Sequence, residues 1–171
     1  MRVKNPKELF VAMLSQVRHG TELTGAVYRE LGELSKNPEI KEALEARALV
    51  SHQTLTKLDR AFKMIGERRV KVTGRLHDVF VEDFRKELLE IESPVAKRLF
   101  ILAKANHLSH MRAGEYVTLV AAADVCGHHG VGVLLESSLG DHLAFVERTK
   151  LLIHHFVKTR TAAKVRAYRS N

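Results

Sequence analysis

The chain carries ten histidines among its 171 residues, and two of them, His107 and His110, stand three positions apart. On a helix that spacing puts both imidazoles on one face, where they can chelate a single ion. His52 and His142 lie in distant segments and could approach the pair from other helices. Imidazole suits zinc, copper or nickel better than hard cations, so the chemistry open to this quartet is a histidine-based metal site. The competing assignment makes His110 a core histidine satisfied by Ser, Thr or Asn neighbours and leaves the others on the surface. His128-His129 and His154-His155 fall near helix ends, where the rings complement terminal carbonyls.

Carboxylate chemistry is poorly supplied. A di-iron site in a helical bundle draws a glutamate from each of two helices and Glu-x-x-His from each of the other two, because the ions need several hard oxygen donors. The sequence has no Glu-x-x-His, no acidic residue between Glu45 and Asp59, and none between Glu92 and Glu115. A ferritin-type ferroxidase centre is therefore not expected. No Ser, His and Asp set sits in a strained nucleophile turn either, so neither hydrolase activity nor a catalytic residue is predicted.

The elements that position these groups are marked by the three prolines. Asn5-Pro6, Asn37-Pro38 and Ser93-Pro94 each pair an N-cap residue with proline at the first helical position, and Gly66 and Gly127 stand where periodic stretches stop. Apolar residues at three-and-four spacing predict long helices over Pro6 to Leu34, Pro38 to Ile65, Pro94 to Val125 and about Val131 to Val157, with Leu76, Val79, Phe80, Phe84, Leu88 and Ile91 marking a shorter crossover helix that ends at Ser93. The fourth helix is read with Leu99, Ala103, His110, Val117, Ala121 and Val125 on its inner face. Polar residues interrupt the stripes at comparable depths: Thr21, Ser51, Ser109, His110, Ser138 and His142. Two short-looped hairpins and one long connection predict an all-α, ferritin-like antiparallel four-helix bundle with a short additional crossover helix.

The segments NPKELF, NPEIKEALE, LTKLDRAFKMIG, HLSHMRAGEYVTL and LLESSLGDHLAFVERTKLL follow one another over roughly Asn5 to Val157. In order and spacing they resemble blocks of the YciE/YciF-like family of bacterial stress-associated proteins. The resemblance implies a ferritin-like bundle with a carboxylate-rich metal site at its centre, including a Glu-His-Tyr-Glu run on the fourth helix. Here that run reads Ser109-His110-Met111-Arg112, with arginine at a carboxylate position. The resemblance puts the first-helix glutamate on Thr21, the second-helix acidic pair on Leu49 and Val50, and the fifth-helix acidic positions on Asp141, His142 and Val146. It thus implies a degenerate di-metal site, a polar layer of Thr21, Ser51, Ser109, Ser138 and Arg112, and a non-catalytic structural or interaction protein. No cofactor is expected; a metal ion at His107, His110, His142 and His52 is the alternative.

Composition sets the remaining expectations. With 45% hydrophobic residues the chain can bury a sizeable core unaided, and Cys126, the single cysteine, excludes an intrachain disulfide. The opening MRVKNPKELF has no apolar run of the signal-peptide kind and no spanning stretch follows, so a cytoplasmic protein away from membranes is expected. The division is a bundle over 1–157 and a basic tail or helix extension over 158–171. The net charge of +8 is concentrated in that tail, where Lys158, Arg160, Lys164, Arg166 and Arg169 meet no acidic residue. Such a cluster suits nucleic acid or another polyanion, a Dps-like alternative, and Arg68, Arg69 and Lys71 form a second cluster. A homodimer is expected through a second apolar face of the first helix, Leu9, Val11, Leu23 and Ala26.

Overall fold

In a computed structural model, which describes residues 3–72 and 75–169 with side chains as far as Lys158, every predicted cap closes a helix. Asn5 accepts from the Glu8 amide at 2.9 Å and its own amide reaches the Glu8 carboxylate at 3.0 Å, opening α1 (Pro6–Leu34). Asn37 accepts from the Ile40 amide at 3.0 Å to open α2 (Pro38–Ile65). Ser93 does the same for Ala96 at 3.4 Å at the head of α4 (Pro94–Val125). Between α2 and α4 lies α3 (Arg75–Glu90). Gly66 and Gly127 take positive φ, 68° and 73°. At each the paired bonds are Schellman-type: Glu67 N–H to Phe62 O with Gly66 N–H to Lys63 O, and His128 N–H to Ala123 O with Gly127 N–H to Asp124 O. The last helix, α5 (His129–Arg169), starts two residues earlier than expected and runs through the basic segment. No proline or glycine interrupts residues 158–169, which are rich in good helix formers.

The helices pack as two hairpins, α1 with α2 and α4 with α5, and the hairpins meet through α1 against α4 and α2 against α5. Tyr28 meets Ser109 while Val17 and Thr21 meet Arg112, so α1 and α4 are antiparallel. Arg47 meets His142 and Lys57 meets Asp141, so α2 and α5 are antiparallel as well. Every neighbouring pair then opposes its partner, which leaves α2 and α4 parallel and obliges the chain to travel back along the bundle between them. With 16 residues α3 supplies roughly 24 Å of that return at 1.5 Å per residue. It is held by Arg85 on Glu30 at 2.8 Å, by Phe84 stacked on Phe100, and by Glu87 paired with Lys104.

Two apolar clusters occupy the two ends of the bundle. One gathers Leu31, Leu44, Phe84, Leu102 and Phe145; the other gathers Phe10, Leu14, Leu58, Leu119 and Leu135. The polar layer lies between them.

Three helix faces differ from expectation. Leu99, Val117 and Val125 are 38%, 57% and 74% exposed, and Ala103, His110 and Ala121 are exposed with them. The buried face of α4 is instead Leu102, Ala105, Ser109, Arg112, Tyr116, Leu119 and Ala123. This helix is apolar nearly all round, so period alone does not select a side. On α3, Leu76 and Val79 face out while His77, Phe84 and Leu88 are buried. On α1 the expected dimer face is split: Leu9 and Ala26 are exposed, Leu23 is half-buried, and Val11 belongs to the core. Among the described residues no helix is long and apolar enough to cross a membrane.

Candidate functional site

At the middle of the bundle two guanidinium groups are buried where an apolar core would be expected. Arg112 on α4 is fully buried. Its Nη2 donates to Val17 O and to Thr21 Oγ1, both at 2.6 Å, and its Nη1 reaches Glu115 one turn along and His77 Nε2 at 3.4 Å. Because a guanidinium only donates, His77 accepts through Nε2 and carries its proton on Nδ1. Burial, reinforced by the Arg112 charge, lowers His77 to a pKa of about 4, so it is neutral at physiological pH. Burial raises the Glu115 carboxyl against the pull of Arg112.

Gly20 makes this arrangement fit. A Cβ there would fall on Arg112 Nη1 and within 2.7 Å of the His77 ring. Both groups are fixed by partners from α1 and α4, so neither can give way cheaply. Gly20→Ala should cost about 1–3 kcal/mol despite the better helix propensity of alanine, and urea unfolding would check it; a stabilised variant would show the site is loose.

Arg47 on α2 is the second cation, 3% exposed. Its Nη2 lies 2.6 Å from Nδ1 and 3.0 Å from Nε2 of His142, against the ring edge that carries both nitrogens, and Nη1 reaches Asp141 O at 3.5 Å. Its guanidinium carbon stands 5.6 Å from the Tyr28 ring centre and 5.7 Å from that of Phe145. Among the described residues no carboxylate pairs with it: Asp141, the nearest in sequence to His142, is engaged by Lys57 at 3.2 Å. Burial and then the charges of Arg47 and Arg112 lower His142 to about 2, so it too stays neutral and accepts from Arg47. The layer therefore holds two cations and one anion, Glu115.

The remaining members are hydroxyls. Thr21, Ser51, Ser109 and Ser138 are all buried. Thr21 and Ser51 donate back to the carbonyls four residues earlier, at 2.8 and 3.0 Å, so they are satisfied within their own helices. Ser109 Oγ and Tyr28 Oη lie 2.6 Å apart and join α4 to α1. His110 does not belong to the layer, since it points to solvent one residue beyond Ser109.

The four candidate histidines are not brought together. His52, His107 and His110 are exposed on outer faces, with the His107 ring edge-on to Phe80 at 5.5 Å, and His142 alone is buried. The turn of α4 that buries Ser109 and Arg112 carries His107 and His110 outward. Among the described residues no group of three or more His, Cys, Asp or Glu is placed to hold a metal ion. A divalent metal would also meet two guanidiniums, which cannot ligate and repel it, and would have to compete with them for His142 and Glu115. The residues present do not fit a di-metal centre.

The positions carried over by resemblance divide in the same way. Thr21, Ser109 and Arg112 are inside, but Leu49 is 60% exposed and Val50 half-buried, so the inward register of α2 is Arg47, Ser51 and Thr54. On α5, His142 and Val146 are buried and Asp141 half-buried. Lys158 is exposed, as are Arg68, Arg69 and Lys71; the side chains of Arg160, Lys164, Arg166 and Arg169 lie outside the described residues. Sequence reasoning missed Arg47, His77, Glu115, Tyr28 and Tyr116 as members of the layer. Arg47 was findable, standing three residues after Leu44 and four before Ser51 on the same stripe. His77 has no such signal.

A parallel α2 and α4 joined by a crossover helix define an all-helical bundle domain, a fold that the chain shares with known proteins. Residues 5–162 match the DUF892 model, a domain of unknown function, and the chain belongs to that family. Its fold is that of the E. coli stress protein YciF: the TM-score is 0.86 at 18% identity, covering 91% of this chain and 99% of that one. YcfI of Rhodopseudomonas palustris, proposed to be a structural protein, gives 0.83 at 19% identity over 86% of this chain and 94% of that one. A Xanthomonas campestris protein gives 0.68 at 17% identity over 92% and 99%. A search of curated proteins returns no match.

Proposed function

We propose that this protein is a ferritin-like, stress-associated bundle in which an arginine-centred layer stands in place of the di-metal centre, and that it works as a non-catalytic structural or interaction protein. The observation that carries the reading is Arg112, fully buried and bonded across to Thr21, with Arg47 buried on α2 beside it. Cations fixed by the chain occupy the middle of the bundle, and the hydrogen bonds they make tie α1 to α4 and α2 to α5. The antiparallel neighbours and single crossover support the ferritin-like assignment. The names given to YciF and YcfI support the stress-associated and structural parts of the reading.

Elemental analysis tests it directly. Untagged protein purified without chelator, then offered iron, zinc and copper under controlled redox conditions, should retain far less than one ion per chain and should not accelerate ferrous oxidation. A stoichiometric metal that survives dialysis and is lost on His142→Gln or Glu115→Gln, the groups of the layer able to ligate, would overturn the reading.

A further inference from the structure

The central layer has too many donors and too much positive charge for the acceptors the chain provides. Arg47 Nε, Arg112 Nε and Ser138 Oγ are buried without a hydrogen-bond partner, and Tyr116 Oη, beside Arg112 and Thr21, makes no well-aligned bond to either. Each can donate a proton, and the two Nε groups can do nothing else. Arg47 is a buried cation with no carboxylate, a condition that costs several kcal/mol unless a counter-charge is near. These groups also sit together. The Tyr116 and His142 ring centres are 5.1 Å apart, Arg112 lies 5.6 Å from the centre of the Tyr116 ring, Arg47 abuts His142, and Ser138 is one turn before His142 on α5. Both guanidinium charges act on His142, Tyr28 and Tyr116 alike.

We propose that the centre of this bundle binds one small inorganic anion of the halide class, held between Arg47 and Arg112 with Tyr116 and Ser138 as further donors. The site has the inverse polarity of a metal centre: donors replace lone pairs, and the ligand brings the negative charge. A halide suits the layer better than a polyatomic oxyanion because its single atom can accept from several convergent donors at once, whereas each oxygen of an oxyanion needs donors of its own. The anion neutralises Arg47 and so gives the orphaned donors a common acceptor. This inference rests on the metal-free reading of the layer.

The test is bromide titration of the full chain in gluconate buffer at constant ionic strength. A saturable rise in melting temperature is expected with sodium bromide, as ligand binding to the folded state requires. Diffraction at the bromine edge should place one ion between Arg47, Tyr116 and Ser138. Arg47→Met should fold, because it removes a buried charge that has no carboxylate partner, and should lose the bromide response. Tyr116→Phe and Ser138→Ala, which alter no charge, should each weaken apparent bromide affinity about tenfold. Equal melting in bromide and gluconate, an undiminished response in all three variants, or water in place of bromide at the centre would overturn the anion site while leaving the metal-free reading intact. A metal ion at that position would overturn both.

Discussion

Lowering the pH from 8 to 5 is expected to remove about 4 kcal/mol of folding stability through two histidines alone, before any carboxylate pair is lost. His77 and His142 are held neutral in the fold, at about 4 and about 2, against an ordinary value of 6.5. Between those values and 6.5 the unfolded chain binds protons that the native chain refuses, so stability is fully present above pH 6.5 and falls as the pH drops below it. Each residue contributes about 2 kcal/mol of that loss by pH 5, a large part of the 5–15 kcal/mol of a typical domain.

The groups facing these rings set the size of the effect. His142 sees Arg47 from α2 with Arg112 and Tyr116 from α4; His77 sees Arg112 and Glu115 from α4 and His19 from α1, with Asp78 opposing from its own helix. Glu115 works the other way: its raised carboxyl destabilises the fold near neutrality and is relieved on protonation. Asp59, lowered by its bond to Arg18, adds a loss only at still lower pH. Urea unfolding at pH 8, 6 and 5 in gluconate buffer would measure the slope, and His77→Gln or His142→Gln should each remove about half of it. A flat profile from pH 8 to 5 would show that neither ring is held neutral.

Arg112→Ala is expected to be the most damaging single substitution in the layer, at about 3–5 kcal/mol. It deletes the donors to Val17 O and Thr21 Oγ1, opens a cavity between α1 and α4, and leaves Glu115 partly buried with no cation. The last term can be isolated. Arg112→Met fills most of the volume but still strands the carboxylate, whereas Arg112→Met with Glu115→Gln removes both charges and should recover at least 1–2 kcal/mol relative to the single change. Equilibrium unfolding of the four proteins in the cycle gives the coupling. An Arg112→Ala protein within about 1 kcal/mol of the parent would mean that the arginine fills space without organising the bundle.

Helix ends were legible because their causes are local. Asn5, Asn37 and Ser93 cap through bonds three residues away, and Gly66 and Gly127 relieve a conformation that other residues resist. The inward faces of α1 and α2 were legible too, since their outer faces are polar enough for the period to choose a side. On α4 both sides are apolar, so the pattern that exposes Val117 and Val125 read as well as the one that buries Tyr116 and Leu119. Reading the wrong side placed His107 and His110 inside and obscured how Arg112 is held.

The sequence by itself determined where the capped helices begin and where α2 and α4 stop, that hydroxyls interrupt the apolar stripes mid-helix, and that the stretches between Glu45 and Asp59 and between Glu92 and Glu115 have no carboxylate to offer a metal. Only the tertiary structure decided that Arg47 joins Arg112 in that place, what holds the two guanidiniums, and that His77 reaches them from the crossover. A buried arginine is tolerated only where distant partners converge on it: Thr21 lies 91 residues from Arg112 and His142 lies 95 from Arg47. Contacts at such separations are created by packing one helix on another, and no spacing within a single helix encodes them.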